Sequence, residues 1–169
     1  MQSTFRDQLV QPTQPSQLAM DPLRHTALRD PSASDTVDRD RQFLNMLQSF
    51  RPSGGVSRAQ GVTDLLLSRC GQNVGTLARW IGRGEVVHFD WQHDTWLPMF
   101  QFDLADMTPN PSVGRVLKEL AGVFDPWESA QWFASPSVAL HGRTPANAVA
   151  SDTESVLQAA RCGKFFADA

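Results

Sequence analysis

The stretch "WFASPSVALHGRTPANAV", residues 132–149, organises the reading of the chain. Trp132-Phe133 closes an aromatic helix, and Pro136-Ser137 marks a turn. A lone His141-Gly142-Arg143 follows, and Thr144-Pro145 pairs a capping hydroxyl with a proline suited to a first helical turn. The stretch therefore reads as two short helices joined by a sharp corner. No nucleophile, metal set or phosphate loop accompanies this punctuation.

The same device recurs on either side. Asn110-Pro111 and Asp125-Pro126 each set a capping side chain before a proline, and Glu128 offers a reciprocal acidic group behind Asp125. Ser151-Asp152-Thr153-Glu154 reads as a capping box before "SVLQAA". Gly122 and Gly163 are placed to end two helices. These signals predict short helices over 112–121, 126–134, 145–150 and 152–161.

Upstream, "EVVHFDWQHDTWLPMFQFD" changes period. Val87, Phe89 and Trp91 alternate with polar neighbours, and a second aromatic run follows the "QHD" corner, so a β-hairpin is expected with Pro98 at an edge or strand end. Before it, "SRAQGVTDLLLSRCGQNVGTLARWIGRG" reads as two helices around a turn at Gly71. Val62, Leu65 and Leu66 form one apolar face, and Val74, Leu77, Trp80 and Ile81 the other. Leu66, Gly71, Leu77 and Trp80 match the anchors of a helix-turn-helix, which would expose Gln72, Asn73, Thr76, Arg79 and Arg83 to DNA. A plain helical hairpin fits the same residues. From Asp38, "DRDRQFLNMLQSF" places Phe43, Met46, Leu47 and Phe50 on one helical face, which either packs on the following domain or mediates self-association. Gly54-Gly55 then opens a flexible joint. Residues 1–35, rich in Gln, Pro, Ser and Asp without apolar period, read as a disordered tail.

Charge is unevenly spread along the 169 residues, although the net is only −3. Residues 1–57 balance six basic against six acidic side chains. Residues 58–84 carry four Arg against Asp64, a net of +3, and residues 85–169 carry five basic against eleven acidic groups, a net of −6. A basic middle suits nucleic acid and an acidic end suits a basic partner. No apolar run reaches the roughly 18 residues of a membrane span. The opening residues lack a signal-peptide pattern, so cytoplasmic location and no membrane partner are expected. Cys70 and Cys162 read as buried thiols rather than a disulfide or zinc pair.

Candidate chemistry is sparse. His88 and His93 lie near Asp90 and Asp94, but strand alternation separates them, so no metal is expected. His141 lacks a nucleophile partner, and "GRG" at 82–84 lacks the context of a phosphate loop. No cofactor and no enzymatic activity are expected. The five Trp, with no Tyr, read mostly as core.

"LPMFQFD" followed by "VGRVLKELAGVFDPWESAQWFASPSVALHGRTPANAV" resembles the toxin-binding domain shared by the Xre, MbcA and ParS antitoxins. That family has an aromatic Pro-x-Phe-Gln-Phe run, a helix ending near Asp and Trp, and a Trp-Leu-x-x-Pro-Asn segment. A Leu-x-Gly-x-x-Pro element and a short helix follow. The counterparts here are Pro98 to Phe102, Asp125-Pro126-Trp127, Trp132-Phe133 with Pro136, and Leu140, Gly142 and Pro145. The likeness covers about residues 59–162. Ser137 replaces the usual Asn, and Ala146-Asn147-Ala148-Val149 replaces the usual leucines. The resemblance implies a mainly helical bacterial antitoxin that neutralises a RES-domain, NAD-consuming toxin and represses its own operon through a helix-turn-helix. It implies partner contacts at Trp132, Pro136, Leu140, Gly142, Arg143 and Pro145, and along the C-terminal "KFFADA" at Lys164, Phe165 and Phe166. The rival reading is a stand-alone DNA-binding regulator or interaction scaffold without a toxin.

The expected architecture is thus mainly α. A disordered tail (1–35) and a helix with linker (36–57) precede a helix-turn-helix-like pair with β-hairpin (58–103). A bundle of short helices, the toxin-binding part, completes the chain (104–169).

Overall fold

The computed structural model describes residues 31–73 and 75–167, so the tail expected at 1–35 lies outside the described residues as far as residue 30. The described chain is mainly helical, with one small antiparallel sheet. Helix α1 spans Pro31–Phe50, beginning before Asp38. Its inner face, Phe43, Met46 and Phe50, is buried, and Phe43 stacks on Trp91 with ring centroids 3.8 Å apart. Trp91 Nε1 donates to Asp40, and Trp127 Nε1 donates to Gln42. Of the two alternatives for this helix, its inner face takes the first and packs on the rest of the fold.

The segment expected as a flexible joint holds a strand. Gly54 and Gly55 adopt φ +102° and +80°, a conformation open mainly to glycine. They turn the chain into β1 (Val56–Arg58), which pairs with β3 (Asp94–Pro98). β2 (Phe89–Trp91) lies on the other side of β3, giving the order β1-β3-β2. The expected hairpin is therefore present, and Pro98 ends its second strand. Trp91 pairs with Asp94 across a two-residue loop in which Gln92 and His93 both have positive φ, as a tight primed turn requires.

Helices α2 (Ala59–Cys70) and α3 (Gly75–Gly82) follow β1, with Gly71 at φ +57° ending α2. After the sheet, a 3₁₀ turn (Met99–Gln101) carries Gln101 into the interior. Its side chain accepts from Val87 N–H at 2.6 Å and donates to the carbonyls of Val87 and Pro98 at 2.8 and 2.9 Å. A buried amide left without partners would be costly, and here each is supplied. Gln101 thereby serves Val87 as a neighbouring strand would.

The remaining helices are α4 (Pro111–Leu120), α5 (Pro126–Ala134), α6 (Pro145–Ala148) and α7 (Thr153–Ala167). Asn110, Asp125 and Thr144 cap as their sequences indicate, and Asp125 with Glu128 closes a full capping box. Two expectations fail. Asp152, not Ser151, caps α7 by accepting from Ser155 N–H. Gly163 lies inside α7 rather than at its end; a Cβ there would stand 3.3 Å from Trp132 Nε1, so its role is close approach.

The hydrophobic interior has two parts. The larger joins Phe43 and Phe50 of α1 to Phe89, Val116, Trp127, Phe133, Leu140 and Leu157. The smaller joins Val62, Leu66, Leu77, Leu97 and Met107. Cys70 is half-buried and Cys162 exposed, against the expectation of two buried thiols. Trp127 is the buried tryptophan; the others are half-buried at the rim of these clusters.

Candidate interaction surface

Between α5 and α6 the chain forms a closed corner. Ser137 N–H donates to Arg143 C=O at 3.1 Å, and Gly142 N–H returns to Ser137 C=O at 2.9 Å. Leu140, His141 and Arg143 N–H groups bond within the same loop, which includes a 3₁₀ turn at Val138–Leu140. Gly142 at φ +81° makes this reversal possible without the Cβ clash that other residues carry, and His141 also takes a positive φ. Leu140 is fully buried and Pro145 is buried, so the corner is pinned from beneath. Val138 points the other way, with 95% of its surface exposed. Pro136, Ala139 and Gly142 are exposed around it.

The expected contact residues thus divide. Pro136, Gly142 and Arg143 face solvent, while Leu140 and Pro145 support from within. Trp132 is half-buried and packs edge-on to Phe133, and Phe133 is the side chain sealed in the core. Arg143 is exposed but not free: its Nη2 lies 3.1 Å from Asp152 Oδ2, and its Nε donates to Leu140 C=O. Hydrogen bonds from Ser155, and secondarily the Arg143 guanidinium, hold the Asp152 carboxyl below the usual carboxylate range. Lys164 is half-buried near the end of α7; the side chains of Phe165 and Phe166 lie outside the described residues. Sequence reasoning missed Val138. Its signal was an apolar residue between Ser137 and Ala139 in a turn whose residues, apart from the anchor Leu140, are small or polar.

The residues assigned to DNA are less uniform. Arg79 and Arg83 are exposed on and just beyond α3, and Asn73 Oδ1 accepts from Gly75 N–H at its start. Gln72 is half-buried. Thr76, expected on the outer face, is buried and accepts from Arg79 through its hydroxyl. It sits beside Leu77 on the inner face of an eight-residue helix, so it is removed from any groove-reading surface. Arg83 lies 3.9 Å from Glu85, a loose exposed pair that leaves its charge available.

A cleft of about 430 Å³ between α3 and α4 is lined by Trp80, Glu85, Asn110, Arg115 and Lys118. Its charge is mixed, and Arg115 is held by Glu154 at 2.9 Å. Among the described residues, His, Cys, Asp and Glu form no group of three that could hold a metal ion, and no helix is long and apolar enough to cross a membrane. Comparison with protein-family models, curated proteins and solved structures finds no match to this chain.

Proposed function

We propose that the chain is a non-enzymatic binding module of the antitoxin type, capturing a RES-domain toxin through the corner at residues 135–143. The observation that carries this reading is Val138. An aliphatic side chain stands 95% exposed on a loop whose backbone is internally bonded and whose anchor, Leu140, is fully buried. A rigid, outward apolar tip loses little conformational freedom on association, so more of its contact energy becomes affinity. Pro136 beside it and Arg143 at its base supply further apolar contact and a charge-assisted donor. Two of the antitoxin-like elements, Trp132 with Pro136 and Leu140-x-Gly142-x-x-Pro145, lie in and beside this same corner.

The test is direct titration against a purified RES-domain protein, with NAD consumption followed in parallel. A stoichiometric complex that halts NAD loss is the expected result. Absence of any complex would overturn the reading.

A second reading has its own observation. Arg79 on α3 and Arg83 just beyond its end are exposed after an α2 stopped by left-handed Gly71, within the basic segment 58–84. This supports operator binding through Gln72, Asn73, Arg79 and Arg83 as the autoregulatory arm or, without a toxin, as the principal activity. Affinity that falls steeply with salt, with a shallower slope in Arg79→Ala and Arg83→Ala, is the expected signature.

A further inference from the structure

A smaller cavity, of about 200 Å³, opens where three segments meet: residues 84–88 ahead of β2, the end of α4 with the turn after it, and the first turn of α5. Its apolar walls include Val86, Val87, Leu117, Phe124 and Pro126. Val86 belongs to the smaller hydrophobic cluster and Val87 to the larger, so the cavity lies at their seam. Among the described residues, no Lys, Arg, Asp or Glu lines it. Its polar side chains are half-buried His88 and Ser129, the latter only 6% exposed.

Ser129 is the unusual member. Its N–H bonds to Asp125 C=O at 2.8 Å, as an ordinary helical amide does. A helical serine often returns its hydroxyl to the carbonyl four residues back, yet this hydroxyl has no hydrogen-bond partner among the described residues. No fully enclosed side-chain oxygen among those residues lacks a partner, so the Ser129 oxygen keeps contact with the cavity it lines. A hydroxyl in an apolar wall is costly to leave unpaired, which favours an occupant able to bond it over one that cannot.

We propose that this cavity binds a small neutral aromatic molecule carrying one hydroxyl, a monophenol. Size sets the first limit. An apolar cavity of about 150 Å³ holds benzene, so this one has room for a single ring with a substituent or two. Charge sets the second, because an ion entering these walls would lose its hydration without gaining a counter-charge. The third is the Ser129 hydroxyl, which can accept from a phenol and donate in return. Apolar contact with the walls supplies most of the binding, and the one polar group fixes orientation.

Titration of the full chain with p-cresol to low millimolar concentration, followed by methyl and amide chemical shifts, tests this. Saturable shifts confined to the cavity walls are expected for wild type, with toluene binding more weakly and benzoate failing to displace p-cresol. Ser129→Ala should keep the thermal melt in place or raise it. It should weaken p-cresol binding about tenfold, the scale of one hydrogen bond, and leave toluene unchanged. Ala121→Trp, on the exposed rim, should abolish binding of both while the protein stays folded. Absence of saturable p-cresol binding, shifts centred elsewhere, or an Ala121→Trp variant that binds like wild type would overturn the site. Equal p-cresol affinity in Ser129→Ala, or displacement by benzoate, would overturn the assignment of a neutral hydroxylated ligand. None of these outcomes depends on toxin or DNA binding.

Discussion

Two loops in this molecule use the same construction to different ends. Residues 102–109 are closed by a bridge between Phe102 and Pro109 and by Asp103 N–H to Thr108 C=O, with Met107 fully buried beneath. Residues 137–143 are closed by Ser137 and Arg143, with Leu140 fully buried beneath. Each also exposes one large apolar side chain, Leu104 at 62% and Val138 at 95%. The difference lies in what covers the outside. Arg69 donates to the Leu104 carbonyl and Cys70 to that of Asp106, so α2 is clamped across the first loop. Among the described residues, no such hydrogen bond from another helix crosses the tip of the second. On the function proposed above, the uncovered tip is the part offered to a partner, whereas its counterpart is fastened to α2.

The largest expected effect treats the two loops alike. Leu140→Ala and Met107→Ala each remove a fully buried side chain and should cost about 2–5 kcal/mol. Urea melts that show one loop much less sensitive than the other would break the equivalence of their anchors. A smaller effect is expected at the reversal. Gly142→Ala forces a Cβ into a positive-φ position and should cost about 1–2 kcal/mol, read as a lower melting temperature with the far-ultraviolet spectrum unchanged.

Much of the helical half was legible because its signals are local. Asn110, Asp125 and Thr144 bond to amides within three residues, so their chemistry is written where it acts. The miss at α7 was a choice between neighbours, since Ser151 and Asp152 are both good caps and only the tertiary position of the helix selects Asp152. What was not legible depends on distant partners. β1 is three residues long and is defined by β3, some forty residues on. Thr76 turns inward, and Gly163 owes its place to Trp132 across the fold. The buried apolar positions of α5, Trp127, Ala130, Phe133 and Ala134, follow three- and four-residue spacing and leave Trp132 at the margin. That periodicity was available, but the size of the tryptophan obscured it.

The pairing of Arg143 with Asp152 gives a smaller effect, and one set by pH. The folded Asp152 carboxyl titrates below the usual range, so its contribution is complete above the unfolded carboxylate pKa and fades as pH falls through the folded value. The gap in stability between wild type and Asp152→Asn should be widest near neutrality and close below about pH 4. Arg143→Ala, removing an exposed ion pair, should cost no more than about 1 kcal/mol. A larger loss would make the arginine a structural brace of the corner rather than part of its outward face.

The most direct test of the account compares Val138→Asp with Leu104→Asp in one assay that pairs a thermal melt with capture of a RES-domain toxin. Both substitutions place a charge on an exposed loop position and should change stability by about 0.5 kcal/mol or less. The account predicts that Val138→Asp loses capture while Leu104→Asp retains it. Equal capture by the two variants would contradict the claim that the uncovered corner is the binding surface.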